Sequence, residues 1–320
     1  MSNTSDHALS QNVAIDLSAV IVTVEQNEPQ VMVLPDKALP SGPFGTEHRT
    51  LEQGLRAWVA AQSGLKLGYV EQLYTFADQD RTAHGHRMVS IGYLALVHAP
   101  LSERGPQKTA CWYAHFPWED LRGGIAPKVM GPIRNGLDRW SAEGHGATER
   151  RAREMRIAIN FPRDPRAWND ELVLQRYELL WEAGLIEEAR RAQTRTAEGE
   201  TGSFLKDDIV VPGVPMPHDH RRILATAIAR LRAKIKYRPV VFELMPEKFT
   251  LLELQNTVEA LAGLRLHKQN FRRLVQGQGL VEEASGTSSD TRGRPARLYT
   301  FRRQVLRERA VAGTKLARSS

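Results

Sequence analysis

The stretch FTLLELQNTVEALAGLRLHKQNFRRLVQGQGLVEEASGTSSDTRGRPARLYTF occupies residues 249–301 and decides how the C-terminal part of this chain folds. Thr250 stands three residues before Glu253, the spacing of a capping box, in which hydroxyl and carboxylate cap the first helical turn reciprocally. Phe249 and Leu254 hold the positions of a hydrophobic staple around that cap. Apolar residues then recur at helical spacing until an Ala-Gly pair ends the run, so the pattern predicts a helix with well-defined ends.

A second short helix is predicted across HKQNFRRLVQGQG, residues 267–279. We expect Phe271, Leu274 and Val275 to form its packed face. The outer side is basic and rich in amides, and its candidates for DNA contact are Lys268, Gln269, Asn270, Arg272 and Arg273. Arginine pairs bidentately with guanine in the major groove, and glutamine or asparagine with adenine. Two such helices in succession indicate a helix-turn-helix.

The segment after this helix has the outline of a wing. A strand begins at Leu280, a Gly/Ser/Thr/Asp-rich stretch follows, and residues 295–301 return as a second strand. Its arginines, which we expect near phosphates or in the minor groove, are Arg292, Arg294 and Arg297. The alternative interpretation of the whole stretch is a helical hairpin with a solvated basic face.

The charge of the chain is divided unevenly. Residues 221–320 hold 21 Lys+Arg against 8 Asp+Glu, a net of +13, whereas the preceding 220 residues hold 23 against 29, a net of −6. Fifteen of those 21 basic residues precede Phe301, so a basic tail alone does not explain the bias. A basic end joined to an acidic body is typical of a protein in which one domain meets a polyanion.

Length and composition exclude several classes. The 320 residues suffice for two cores, and no apolar run approaches the ~20 residues of a membrane span. Cys111 is the single cysteine, which excludes an internal disulfide and a cysteine-rich zinc site. The N-terminus lacks the features of a signal peptide. We therefore expect a soluble, intracellular protein with no membrane contact. For a DNA-binding protein this means a cytoplasmic, nucleoid-associated location, and we expect no required cofactor.

The N-terminal part of the chain predicts a mixed α/β sandwich. β-branched runs bounded by polar residues indicate strands, and spaced apolar residues before Gly64 indicate a helix. The predicted strands are 13–24, 30–34, 69–76 and 88–97, with a turn at 39–43 and a helix at 51–63.

This order of elements resembles a Nudix domain, with LPSGPF, a helix closing in SGL, then VEQLYTFADQDR and RMVSIGYLALV. Together with the FT-x₂-EL-Q and NFRR-x-L pieces, it is similar to the Nudix-fold bacterial regulators of NAD metabolism. The resemblance implies a nucleotide-sensing domain followed by a winged helix. It also implies control of NAD synthesis or salvage genes, with ADP-ribose, NAD or ATP as effector.

The Nudix pattern departs from an active enzyme at one place. An active Nudix helix carries two neighbouring glutamates that hold magnesium ions, and here those slots fall on Ala61 and Gln62, or on Ala60 and Ala61 in the neighbouring register. Between Glu52 and Glu71 the chain has no carboxylate at all. The sequence thus favours a nucleotide sensor without a metal site over the alternative, an active nucleotide diphosphate hydrolase.

Nucleotide binding needs cationic groups for phosphate and a flat apolar surface for the base. The candidates near the expected cleft are Arg49, Arg56, Tyr74, Phe76, Arg81, His84 and Arg87. Each of these side chains is equally compatible with a solvated or a core position.

The middle of the chain is less informative. Residues 171–193 predict a helix with a break at Gly184, and residues 221–236 a basic helix with one apolar face, packed on the sensor domain or on a second chain. His218-Asp219-His220 invites a metal site, although Asp219 equally suits a helix cap, the interpretation that we favour.

The sequence divides the chain into five segments and predicts one function for it. The segments are a disordered tail (1–11), a Nudix-like sensor (12–160), a helical linker or dimerisation region (161–237), a winged helix (238–303) and a basic tail (304–320). The predicted function is a DNA-binding transcriptional repressor acting as a homodimer on a palindromic operator. A protein-interaction scaffold is a third hypothesis, but it explains neither the basic helix nor the wing.

Overall fold

A computed structural model describes residues 13–77, 82–83, 86–98, 101, 108–124, 126–197, 211–288 and 295–304. The strands are β1 Val13–Glu25, β2 Glu28–Val33, β3 Ser41–Pro43, β4 Tyr69–Phe76, β5 Thr82–Ala83, β6 His86–Leu96, β7 Lys108–Cys111, β8 Val281–Ser288 and β9 Ala296–Phe301. The helices are α1 Leu51–Ser63, α2 Trp112–His115, α3 Pro127–Ala142, α4 Gly146–Asn160, α5 Val173–Glu182, α6 Glu187–Ala197, α7 His220–Tyr237, α8 Leu251–Ala262 and α9 Lys268–Gly277. Short 3₁₀ turns lie at Pro117–Glu119, Pro165–Ala167 and Val240–Leu244.

The N-terminal sheet has the order β4-β6-β1-β2-β7, with β3 paired to β1 and β5 to β6. Strands β1 and β6 run parallel in the register Val13↔Arg87 to Val22↔Leu96, and the other pairs are antiparallel. Successive side chains of β1 point to opposite sides of the sheet, and both sides are covered along the middle of the strand. One face packs with α1 and the other with α7. This is the predicted mixed α/β sandwich.

Helix α1 begins and ends where local capping chemistry places it. The Thr50 side chain accepts a hydrogen bond from the Gln53 N–H at 3.2 Å, and Gly64 ends the helix in the left-handed conformation at φ +67°. Leu55 and Val59 fix the helix on the sheet. The predicted bounds of this helix are confirmed.

The predicted turn at residues 39–43 is corrected by the structure. Ser41–Pro43 forms the short strand β3, antiparallel to β1, and Ala19 donates its N–H to the Pro40 carbonyl at 2.8 Å. Proline is compatible with strand pairing at a sheet edge. The long-range pairing to β1 therefore overrides the local turn signal.

The central helices join the sensor sheet to the winged helix through one continuous apolar core. Trp140, Leu180, Leu231 and Leu254 belong to the same buried cluster. Helices α3 and α4 were not predicted, because α3 contains an internal proline and α4 buries only Asn160 among its 15 residues. The predicted break between α5 and α6 is confirmed, with Gly184 at φ +67°.

Helix α7 begins directly after Asp219, as the cap interpretation requires, although the Asp219 side chain makes no capping hydrogen bond. The neighbouring His220 accepts the Leu39 N–H at Nδ1, 2.8 Å away, and so fixes the start of the helix to the sensor domain. No cluster of three metal-ligating side chains occurs in the part of the chain that the structure describes.

The apolar face of α7 is covered within its own chain. Its buried residues, 0–1% exposed, are Ile223, Leu224, Ala227, Ile228 and Leu231. The helix packs on α5, α8 and strands of the sensor sheet. The packing predicted against the sensor domain is the one observed, so this face is not available to a second chain.

Candidate functional site

The first helix of the C-terminal domain is capped as the sequence predicts. The Thr250 hydroxyl accepts the Glu253 N–H at 3.2 Å, while the Glu253 carboxylate accepts the Thr250 N–H at 2.6 Å. Phe249 exchanges backbone hydrogen bonds with Tyr299 at 3.0 and 2.8 Å, which attaches strand β9 to the start of α8. The cap and the wing therefore share one anchoring residue.

A single carboxylate organises the turn between α8 and α9. Glu259, buried on α8, accepts hydrogen bonds from Gln255 at 2.8 Å, from the Leu266 N–H at 3.0 Å and from Arg265 at 2.8 Å. Burial alone would raise the pKa of Glu259, but these donors hold it below its ordinary value. Sequence reasoning missed this residue, whose only signal is a glutamate on the buried side of an apolar helix.

Helix α9 presents the predicted polar surface to solvent. Lys268, Gln269, Asn270, Arg272 and Arg273 are all exposed. Arg273 donates a long hydrogen bond of 3.4 Å to the Asn270 side-chain oxygen. These five side chains, three cations and two amides, are of the types suited to base edges and phosphates.

The packed face of α9 is narrower than predicted. Phe271 and Val275 are buried, at 8% and 5% exposed, but Leu274 is 57% exposed. The assignment of Leu274 to the packed face is therefore wrong. A helix docked by only two side chains leaves the next lateral position open to solvent.

The wing is formed by β8 and β9, which pair antiparallel from Val281↔Phe301 to Ser288↔Ala296. Arg297 is exposed and donates to Glu283 across the hairpin at 2.6 Å, which raises its pKa. In the structure Arg297 therefore braces the wing. Arg292 and Arg294 lie outside the described residues.

A buried ion cluster connects the winged helix to the rest of the chain. Glu119 accepts hydrogen bonds from Arg176 and from Arg232, each at 2.6 Å, and all three side chains are fully buried. Arg232 also donates to the Leu261 carbonyl at 3.0 Å, near the end of α8. We name Glu119, Arg176 and Arg232 the hinge cluster.

Backbone contacts strengthen the same junction. The Tyr113 hydroxyl donates to the Ala260 carbonyl at 2.6 Å, and the Leu121 N–H donates to the Gly263 carbonyl at 2.8 Å. Gly263 has φ +71°, and a Cβ there would collide with the Glu119 carbonyl oxygen. The end of α8 is therefore held directly by the sensor part of the chain.

The predicted ligand residues of the N-terminal domain have different environments. Arg49 is exposed, and the exposed Arg87 donates to the Ala77 carbonyl at 3.2 Å. Tyr74 is 66% exposed, whereas Phe76 is only 8% exposed and belongs to the core cluster shared with α7. The buried ring of Phe76 is therefore unsuited to stacking on a base. Arg81 and His84 lie outside the described residues.

Arg56 has a structural role. Its guanidinium donates to Glu52 at 2.9 Å, to the Gly68 carbonyl at 3.1 Å and to the Leu67 carbonyl. These contacts attach the loop after α1 to the helix, and each of the three guanidinium nitrogens donates one of them.

Ala60, Ala61 and Gln62 are exposed on α1, and the Nudix resemblance assigns the carboxylate pair to these positions. Of the nearest acids, Glu52 pairs with Arg56 at 2.9 Å. Glu71 pairs with Lys234 of helix α7 at 2.7 Å.

A groove of about 440 Å³ opens at the carboxyl end of α1. Lys66, His98 and Glu243 line it together with two glycines and apolar residues of β6 and the adjoining loop. His98 contacts the Leu244 carbonyl at 2.9 Å, so the groove lies where the sensor meets the segment that leads into the winged helix. Sequence reasoning missed these groups, since they come from three separate segments.

Comparison with known proteins agrees with this architecture. Residues 241–301 match the family model of the NrtR DNA-binding winged helix domain. The chain is 34% identical over 142 residues to the ADPR responsive transcriptional repressor NtrR of Acinetobacter baylyi. That match covers 44% of this chain and 52% of the relative, so the chain spans about half the length of the curated relative that it matches.

Solved structures share the fold over nearly the whole chain. NrtR of Shewanella oneidensis in complex with a 27mer DNA superimposes with a TM-score of 0.52 at 19% identity, covering 91% of this chain and 94% of that one. The same protein without DNA gives 0.51 at 18% identity, with 90% and 93% covered. The predicted Nudix-like fold with a C-terminal winged helix is confirmed, as is the resemblance that predicted it.

Within the described residues, no helix has the length and hydropathy needed to cross a membrane.

Proposed function

We propose that this chain is a DNA-binding transcriptional repressor of NAD biosynthesis or salvage genes, and that it responds to ADP-ribose. The observation that carries the proposal is the exposed face of α9, which joins Arg272, Arg273 and two amide side chains on a capped helix-turn-helix. The Acinetobacter relative is named as an ADPR responsive repressor, which supports the effector and the direction of control. The proposed division of the chain remains a sensor at 12–160, a helical region at 161–237 and a winged helix at 238–303.

The sensor and the winged helix are positioned to influence each other. Arg122 binds Glu28, next to the β1–β2 turn, at 2.8 Å and Asp120 at 2.8 Å. Asp120 follows directly on Glu119 of the hinge cluster, which holds the end of α8. A ligand that shifts the sensor sheet relative to this segment changes the position of α8. The resulting change in DNA affinity is limited by the difference between the ligand's affinities for the DNA-bound and the DNA-free arrangement of the protein.

Two surfaces are candidates for the effector. The first is the predicted set, in which Arg49, Tyr74 and Arg87 are exposed. The second is the groove with Lys66 and His98, whose volume lies in the range usual for small-molecule sites. Loss of ADP-ribose binding in Arg49→Ala supports the first site, and loss in Lys66→Ala supports the second.

Binding without cleavage is favoured over the alternative, an active nucleotide diphosphate hydrolase. Hydrolysis needs magnesium held by carboxylates, and the slots on α1 carry alanine and glutamine. Lys234 forms an ion pair with Glu71, and this pairing weakens the Glu71 carboxylate as a metal ligand. An effector that is not consumed also suits an equilibrium switch.

The test has two arms. Duplexes are enriched from a random pool with the full-length protein. The logarithm of their binding constant should fall linearly with log[salt], and ADP-ribose should release them. Each candidate nucleotide (ADP-ribose, NAD and ATP) is then incubated with protein and Mg²⁺ or Mn²⁺ and recovered by chromatography. Failure to enrich any duplex would contradict the repressor proposal. The acids nearest to α1 that could rebuild a metal site are Glu47, Glu52 and Glu71. Turnover that disappears on mutating any of these three would show a rebuilt catalytic site.

A further inference from the structure

Leu274 is an exposed leucine in the middle of the helix that carries the DNA-contacting side chains. It is 57% exposed, whereas Phe271 and Val275 account for the packing of α9. It follows Arg273 in sequence and lies one helical turn after Asn270. A large apolar side chain on this helix adds nothing to electrostatic binding of DNA, so its chemistry points to an apolar group on the partner.

The major groove offers one such group, the C5-methyl of thymine. Resting on the DNA-binding function proposed above, we propose that Leu274 packs against a thymine methyl group and is a specificity-determining residue of this protein. Asn270 and Arg273 supply hydrogen bonds to bases or phosphates, and Leu274 adds the apolar contact beside them.

The helix geometry limits where this thymine lies. Residues four apart on a helix are separated by about 6 Å along its axis. Base pairs stack about 3.4 Å apart, so with α9 in the major groove Asn270 and Leu274 face different bases. The 3.4 Å hydrogen bond from Arg273 to the Asn270 oxygen keeps the polar pair together on the helix. Each half-site should therefore contain a critical thymine that is close to, but distinct from, the position that depends on Asn270.

The test replaces single thymines by deoxyuridine, which removes the methyl group and keeps every base-pair hydrogen bond. The operator is first enriched with the full-length wild-type chain. At one thymine in each half-site, uracil should lower wild-type affinity about fourfold, the value for losing burial of one carbon group. Leu274→Ala should bind the thymine operator more weakly and lose this discrimination, whereas Leu274→Met should retain it.

Leu252→Ala is the matched control. Leu252 is also a leucine of the winged helix, 44% exposed, but it lies on α8. Its variant should keep the full uracil penalty. Because both side chains are exposed, neither substitution removes core packing, and thermal unfolding should leave both variants close to the wild type.

Two results would overturn the inference while leaving the repressor proposal intact. One is an operator at which uracil is tolerated at every thymine. The other is Leu274→Ala with an undiminished uracil penalty. If no duplex is enriched by the wild-type chain, the DNA-binding proposal fails and this inference fails with it.

Discussion

At the scale of single residues, the polar face of α9 divides by chemistry. Gln269 and Arg273 are of types that read base edges, whereas Arg297 on the wing is engaged with Glu283. Side chains of the first kind are expected to control sequence preference, and those of the second kind the shape of the wing.

Alanine at Gln269 or Arg273 should lower affinity for the enriched operator by about 1–3 kcal/mol and relax base preference, because each change removes a predicted base contact. Competition binding against single-base operator variants measures both effects. Arg303→Ala, an exposed arginine after the wing, is the control and should weaken binding equally for all sequences. Unchanged affinity in an Arg272/Arg273 double alanine would contradict the assignment of this helix to DNA.

Glu259→Gln should destabilise the winged helix by about 1–3 kcal/mol, because it removes a charged acceptor that serves three donors. The pKa of Glu259 is depressed in the folded chain, so its contribution is present above the ordinary carboxyl pKa and is lost as pH falls through the folded value. Urea unfolding from pH 7 to pH 3 should therefore show the wild-type advantage disappearing in acid. Glu282→Gln, exposed on β8, is the control and should match the wild type throughout.

At the scale of elements, helices α1 and α8 end in the same way for different reasons. Gly64 and Gly263 are both left-handed caps, at φ +67° and +71°. Nothing lies within 4 Å of a Cβ built on Gly64, whereas a Cβ on Gly263 meets the Glu119 carbonyl and the Tyr113 hydroxyl. The first glycine serves only its helix, and the second also serves the junction between domains.

Gly64→Ala should cost about 1–2 kcal/mol, the cost of placing a Cβ in the left-handed region. Gly263→Ala should cost more, because it adds overlap with a buried backbone oxygen that cannot rotate away. Urea unfolding of the two variants gives the comparison, and DNA affinity should fall only for Gly263→Ala. Equal losses of unfolding free energy in the two variants would mean that the junction accommodates the added Cβ without further destabilisation.

At the scale of the whole molecule, the hinge cluster holds two domains in one arrangement. Its carboxylate comes from a 3₁₀ turn, and its two guanidiniums come from α5 and α7. Such a buried network is strongly destabilised when one partner is removed.

Arg232→Ala should lower the free energy of unfolding by about 3–5 kcal/mol, the cost of breaking a buried ion pair. It also removes the bond to the Leu261 carbonyl, so ADP-ribose should change DNA affinity less than in the wild type. Arg230→Ala, exposed on the same helix, is the control. Unfolding curves and DNA titrations with and without ADP-ribose measure both effects, and full ADP-ribose control retained in Arg232→Ala would contradict coupling through this cluster.

The chain should be a homodimer on a palindromic operator, because two related winged helices read two half-sites. With the apolar face of α7 covered, a candidate contact is α4, where Met155 and Ile159 lie one turn apart, 60% and 54% exposed. Light scattering should give twice the chain mass, and glutamate at both positions should give monomers. A wild-type monomer, free and on DNA, contradicts the dimer, whereas a dimer that survives both changes contradicts only the contact at α4.

The sequence by itself determined the features that depend on neighbours along the chain. The Thr250 capping box and the glycine stop of α1 need contacts only within a few residues, and both predictions are confirmed. The run of β-branched residues likewise predicted strand β1, although its partner β6 lies more than 70 residues away. The charge division and the absence of Asp or Glu between Glu52 and Glu71 are likewise properties of residue order alone.

Only the tertiary structure decided which side chains are buried or paired at long range. Leu274 is exposed although helical spacing placed it on the packed face, and Phe76, which the sequence left open between surface and core, is buried. Glu119 meets Arg176 and Arg232 across 57 and 113 residues of chain. Such contacts depend on how whole elements pack, and no spacing within a segment encodes that packing.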